Sequence, residues 1–162
     1  MNEFTFEVNN LAETAKFGRN LGALLHAEQV VALVGPLGSG KTTLVKSVAD
    51  GAGVEDERLV NSPTFVLVNE YEATQRDEPL HLYHIDVYRL RGSEDLEALG
   101  FEEMYAFGAV LIEWAERVED VLPADRLHIE IMPLGEDDRR FLCRATGPQS
   151  GQLLEDLKNK FS

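Results

Sequence analysis

Val30-Val31-Ala32-Leu33-Val34-Gly35-Pro36-Leu37-Gly38-Ser39-Gly40-Lys41-Thr42 is the stretch from which the rest of the chain is read. Its first five residues form a continuous apolar run, the pattern of a short strand buried on both faces. Gly35 to Thr42 then spell G-x-x-x-x-G-K-T. Glycines at those places let backbone N–H groups turn inward around phosphate oxygens, where side chains would obstruct them. Lys41 is placed to neutralise β- and γ-phosphates, and the Thr42 hydroxyl to ligate Mg²⁺. The N-terminus of the following helix adds a favourable dipole. A flexible Gly/Ser linker is the plain alternative, but both flanks fit the phosphate loop: a buried strand precedes it and Lys41 to Ala49 has helical character. Gly51 and Gly53 are expected to stop that helix. The stretch therefore predicts a nucleoside-triphosphate site.

Working outward, Phe4, Phe6 and Val8 alternate with polar residues as a short strand does. Asn9 or Asn10 is placed to cap the helix that follows, in which Leu11, Ala15, Gly18, Leu21, Gly22 and Leu25 fall at helical spacing. Downstream, Thr64 to Tyr71 alternates again, and Ala73 to Pro79 reads as a polar turn. Leu80 to Val87 is a further strand pattern, with Leu80, Leu82, His84 and Asp86 on one face. Residues 93–120 open with a short helix, and Ala109-Val110-Leu111-Ile112 is another buried strand. Leu127, Ile129 and Ile131, then Phe141 and Cys143, suggest a hairpin closed around Gly135-Glu136-Asp137. Gln152 to Phe161 reads as a terminal amphipathic helix. Strands alternating with helices predict an α/β layered sheet within one domain, 1–162.

At 162 residues and 44% hydrophobic, the chain has the length and composition of one globular domain. Fifteen Lys+Arg against 29 Asp+Glu leave a formal charge of −14. So acidic a surface repels phosphate backbones and argues against direct binding of nucleic acid or an anionic membrane. It suits a basic partner or a metal-bound ligand. Cys143 is the single cysteine, which excludes an intrachain disulfide and a thiolate metal cluster. The first residues lack the basic-then-apolar pattern of a signal peptide. The run Val30 to Val34 falls far short of the ~20 residues of a membrane span. A cytoplasmic protein is expected.

A phosphate loop needs a second acid at a neighbouring strand end. Asp86, closing an alternating strand, and Glu113, following four apolar residues, both qualify, and spacing does not choose between them. A salt bridge from either to Arg89 or Arg117 is the bland alternative. His84 shares a strand face with Asp86; a hydrogen-bonded histidine at a strand end is the commoner outcome than a metal ligand. Trp114 and Tyr88 read as core or interface aromatics. In Ser62-Pro63-Thr64 a hydroxyl at a γ-phosphate switch competes with a plain turn.

The loop alone leaves several classes open. A GTPase should carry N-K-x-D, which is missing, and Asp50-Gly51-Ala52-Gly53 comes too soon after the loop to act as its switch. A nucleotide or small-molecule kinase shares the loop and the size but needs an arginine-rich lid. Arg89, Arg91, Arg139 and Arg140 supply only scattered candidates. The third class is a module in which ATP orders a surface for a partner. Residues 93–120 favour it, with nine acids against the lone Arg117, although a solvated helix face has the same composition.

The phosphate loop with Thr43, then Ser62-Pro63-Thr64-Phe65, His84-Ile85-Asp86-Val87-Tyr88-Arg89-Leu90 and Glu113-Trp114, in that order, resemble the TsaE (YjeE) family. That family comprises the small ATPases of bacterial tRNA threonylcarbamoyladenosine biosynthesis. The resemblance spans most of the chain and implies a P-loop NTPase-like layered sheet with a mostly parallel centre, antiparallel strands and helices on both faces. It implies ATP and Mg²⁺ as cofactors, with Gly38, Ser39, Gly40, Lys41, Thr42 and Thr43 on the nucleotide. Thr42 and Glu113 would ligate the metal, Asp86 would be the Walker B acid and Thr64 would belong to a switch. Leu11 and Thr14 would lie by the adenine, with the chain near Arg140 closing the other side. TsaD and TsaB are the implied partners. TsaD transfers threonylcarbamoyl to the adenosine beside the anticodon of tRNAs reading ANN codons, so tRNA contact would be indirect. ATP hydrolysis, slow alone, would support the cycle, with an arginine finger from Arg89 or from a partner.

Overall fold

The computed structural model describes residues 2–55, 68–75 and 78–161. Thr64 and its neighbours Ser62, Pro63 and Phe65 lie outside the described residues, so the switch expectation there is not addressed by the fold. The elements are β1 (Asn2–Val8), α1 (Leu11–Leu24), β2 (Val30–Val34), α2 (Lys41–Ala52), β3 (Val68–Gln75) and β4 (Glu78–Asp86). They continue with α3 (Ser93–Ala98), α4 (Phe101–Phe107), β5 (Ala109–Glu113), β6 (Leu127–Pro133), β7 (Arg139–Ala145) and α5 (Pro148–Asn159).

The strands form one seven-stranded sheet in the order β1-β7-β6-β2-β5-β4-β3. The central neighbours β6-β2, β2-β5 and β5-β4 are parallel, and the pairs β1-β7, β7-β6 and β4-β3 are antiparallel. A mostly parallel centre with antiparallel flanks is the architecture the resemblance implied. Strand alternation divides β2 between two cores. Val31 and Leu33 join Phe17 and Leu21 of α1 and Leu44 and Val48 of α2, while Val30 and Ala32 join Leu96 of α3 and Phe101 of α4. Helices therefore cover both faces, which is why β2 carries no polar residue.

Four local expectations change. β3 continues through Ala73 to Gln75, where composition reads as a turn, because its register with β4 holds from Val68↔Ile85 to Gln75↔Glu78. Ala73 is buried and bridges to Val54, just past the end of α2. Gly51 does not stop α2. It lies within the helix, where a Cβ would come 2.1 Å from the Arg19 carbonyl oxygen, so its role is close packing against α1. The stop is Gly53, in the left-handed region at φ +96°. The segment after residue 93 forms two helices rather than one, broken at Gly100 (φ +86°), and α5 begins at Pro148 rather than Gln152. Asn10, not Asn9, caps α1, its side chain accepting from the Glu13 N–H at 2.8 Å.

Candidate functional site

β2 ends at Val34 and α2 begins at Lys41, so Gly35 to Gly40 turn across the C-terminal edge of the parallel strands, where open α/β sheets place their ligand crevices. Gly38 and Gly40 have φ of +77° and +100°, a conformation that side-chain-bearing residues rarely adopt. Gly38 has open space where its Cβ would stand, so the backbone angle, not crowding, requires glycine there.

Lys41 is 6% exposed. Its Nζ donates to the carbonyl oxygens of Gly35 at 2.5 Å and Pro36 at 3.0 Å, and lies 4.0 Å from the centre of the Trp114 ring. Trp114 follows β5 with φ +62°, an uncommon angle for a non-glycine residue. That turn brings the indole over the lysine. Tyr88 packs against Trp114 at 4.9 Å between centroids with the rings tilted by 45°, and Arg117 donates to the Tyr88 carbonyl oxygen. Trp114 thus forms part of the wall of the loop's cavity, and Tyr88 packs against it. Arg117 bonds to the Tyr88 backbone rather than to Asp86 or Glu113.

Asp86 ends β4 and Glu113 ends β5, and the two are directly opposite in the parallel register. With Leu37 to Thr43, Trp114 and Arg139 they line an open cavity of about 350 Å³. Both candidate metal acids are therefore at the loop. Their environments differ. Glu113 is buried at 2% exposure and its Oε2 meets Nε2 of the fully buried His84. Asp86 is half-buried, and its Oδ1 accepts from the Tyr88 N–H at 2.9 Å. Burial pushes the Asp86 carboxyl above the usual carboxylate range, against the Tyr88 hydrogen bond, and Glu113 pushes it the same way. Burial also raises Glu116, while Lys41 is lowered by burial against the pull of Glu113, Glu116 and Asp86. Three carboxylates act electrostatically on one lysine, and two of them, Asp86 and Glu113, line the cavity with it. His84 is hydrogen-bonded, the commoner outcome expected of it. Among the described residues no group of three or more His, Cys, Asp or Glu is placed to hold a metal ion by itself.

The donor set fits a magnesium–triphosphate. The Ser39 hydroxyl is buried in the loop with no hydrogen-bond partner among the described residues, a state that native interiors seldom leave unsatisfied. Thr42, half-buried, and the exposed Thr43 open the first turn of α2 onto the same cavity.

A second, smaller cleft of about 30 Å³ adjoins the loop, lined by Leu11, Thr14, Ser39, Gly40, Thr43, Asp137, Arg139 and Phe141. Leu11 and Thr14 thus arrive beside the loop from the first turn of α1. Arg140 does not: its guanidinium pairs with Glu7 across β7-β1, at 2.9–3.0 Å. The arginine at the loop is Arg139. Its Nε donates to the Ser39 carbonyl oxygen at 2.8 Å, and its Nη1 to the carbonyls of Gly135, Glu136 and Asp138 in the β6–β7 turn. A signal for this existed in the sequence. Arg139 stands two residues before the buried Phe141, so it shares the strand face that packs beneath α1, and Arg140 takes the opposite face.

Three comparisons with known proteins agree. The family model described as "Threonylcarbamoyl adenosine biosynthesis protein TsaE" matches residues 8–141. The protein named tRNA threonylcarbamoyladenosine biosynthesis protein TsaE from Bacillus subtilis (strain 168) is 38% identical over 158 residues, covering 97% of this chain and 95% of that protein. Its namesake from Treponema pallidum (strain Nichols) is 41% identical over 128 residues, 78% of this chain and 90% of that one. Among solved structures, the crystal structure of YdiB from B. subtilis superposes with a TM-score of 0.80 at 33% identity, covering 99% of this chain and 97% of the other.

Proposed function

The chain belongs to the TsaE family of tRNA threonylcarbamoyladenosine biosynthesis, and from that premise we propose that it is a Mg²⁺-dependent ATPase acting with TsaD and TsaB. In this reading, hydrolysis supports repeated threonylcarbamoyl transfer to the adenosine beside the anticodon of tRNAs that read ANN codons. The transfer itself and the tRNA contact belong to the partners, in keeping with a formal charge of −14 on this chain. The setting is cytoplasmic.

The observation that carries the reading is Lys41, held between the loop carbonyls on one side and the carboxylates of Asp86 and Glu113 on the other. The loop N–H groups from Gly38 to Thr43 and the Lys41 ammonium bind the phosphates. To do so, Lys41 exchanges its bonds to Gly35 and Pro36 for phosphate oxygens. Thr42 and Glu113 would hold Mg²⁺, which when bound offsets the negative charge and fixes the phosphate geometry. Asp86, the Walker B acid, orients water at the γ-phosphate, and the raised affinity of its carboxyl for protons suits a group that must receive one. Leu11, Thr14 and Arg139 flank the base and sugar side. Thr64 is assigned to a switch that responds to the γ-phosphate.

Replacing Lys41 by Ala removes a buried charge whose hydrogen bonds to phosphate are each worth about 1.5–3 kcal/mol. Calorimetry with Mg–ATP should then give an affinity at least ~10–100-fold weaker. Near-normal affinity in Lys41→Ala would remove the phosphate-loop assignment.

A further inference from the structure

On β4 the face shared by Leu80, Leu82, His84 and Asp86 begins with two buried leucines of the core beneath the helices α1 and α2. A third leucine would continue that pattern at position 84. The chain places a histidine there instead, fully buried. Its Nδ1 has no hydrogen-bond partner among the described residues, and its Nε2 has one, Oε2 of Glu113 on the adjacent strand. A buried imidazole with one nitrogen unsatisfied is a poor core residue, so what it does for the fold does not account for it. The register does. His84 stands opposite Leu111 and Asp86 opposite Glu113, so the imidazole reaches the carboxylate diagonally from two residues below the cavity.

Glu113 also faces a competitor. Lys41 lines the same cavity and attracts the Glu113 carboxylate, yet its ammonium is bonded to the loop carbonyls of Gly35 and Pro36. We propose that His84 is the positioning residue of Glu113: its Nε2–H holds Oε2, fixes the carboxylate at the cavity wall as a Mg²⁺ ligand, and keeps it from collapsing onto Lys41. The inference rests on the proposed metal role of Glu113 and adds the residue that makes the role possible. Metal-binding side chains in general depend on such outer partners, whose loss weakens metal affinity about 10–100-fold.

The test uses the full chain and the β,γ-imido analogue of ATP, whose binding is followed by calorimetry across a Mg²⁺ titration. His84→Leu should raise the Mg²⁺ concentration at half-maximal enhancement of binding about 10–100-fold. Binding without Mg²⁺ should stay at the wild-type level. His84→Gln, whose amide nitrogen can occupy the place of Nε2, should restore the wild-type midpoint to within about threefold. His84→Asn, polar but one methylene too short, should not. Adding His84→Leu to Glu113→Gln should change nothing further, because the group that His84 positions is already altered. A wild-type midpoint in His84→Leu, or a shift that persists undiminished in the Glu113→Gln background, overturns the proposal. If His84→Leu fails to fold, the contrast between His84→Gln and His84→Asn decides in the same sense. Failure of the underlying reading has its own signature: Glu113→Gln alone would leave the Mg²⁺ midpoint unmoved, and the proposal would fall with it.

Discussion

Glu113 and Asp86 end neighbouring strands, face one cavity, and are held there in different ways. Glu113 is buried and bonded to His84, and Asp86 is half-buried and bonded to a backbone N–H. In the proposed function such a difference suits Glu113 to a fixed metal ligand and Asp86 to a carboxylate that meets water. Glu113→Ala should therefore lower Mg²⁺-dependent turnover by roughly 10²-fold or more, the scale of losing one electrostatic group at a reacting centre, with nucleotide binding largely kept. Steady-state ATPase assays beside Asp86→Ala check this. Unchanged turnover in Glu113→Ala, with loss in Asp86→Ala only, would exchange the two roles. At this scale the loop was legible because its glycines and Lys41 are contiguous in sequence. The different surroundings of the two acids were not, since they depend on a histidine 29 residues away and on strand register. The same register separates Arg139, on the loop, from Arg140, on Glu7.

Elements are positioned by a few close contacts. Gly18 and Gly22 of α1 and Gly51 of α2 let those helices approach until a Cβ on any of them would lie within 2.3 Å of the other helix. This is why Gly51, read from sequence as a stop, is helical. Local glycine signals cannot distinguish an end from a close crossing, because the crossing partner is far along the chain. The beginning of α5 was missed for a similar reason. Its cap is Asp125, whose carboxylate accepts from the N–H groups of Gln149 and Ser150 at 2.8–2.9 Å and from the Ser150 hydroxyl at 2.6 Å. Burial raises the Asp125 carboxyl, but those hydrogen bonds together leave it below the usual carboxylate range. Its stabilisation is therefore complete above the unfolded value of about 4. It is lost as pH falls through the lower folded value. Asp125→Ala should cost about 1 kcal/mol near neutral pH, the size of a helix cap, seen as a Tm lowered by ~2–4 °C. Thermal unfolding followed from pH 7 to pH 3 should show the gap between wild type and variant closing. A gap that widens on acidification would contradict the capping role.

At the scale of the whole molecule, a seven-stranded sheet brings the loop, both acids and Trp114 to one cavity, while α3 and α4 present an acidic surface. Alternation of strand and helix made the layered fold readable. The β6–β7 hairpin was readable too, but the place of β1 beside β7 was not, because that pairing joins the two ends of the chain. Glu94, Glu97, Glu102 and Glu103 are all exposed on α3 and α4. Reversing their charge to Lys should weaken binding to a TsaD–TsaB complex about tenfold at low salt and leave ATP affinity unchanged. Unaltered partner affinity in a biosensor titration would make the stretch a solvated face. A partner-coupled ATPase is tested by measuring ATP turnover of the purified protein, alone and with TsaB, TsaD and tRNA. Slow turnover alone that changes when the partners are added is the expected result. Turnover indifferent to the partners, but raised by a small phosphate acceptor, would contradict it and identify a kinase.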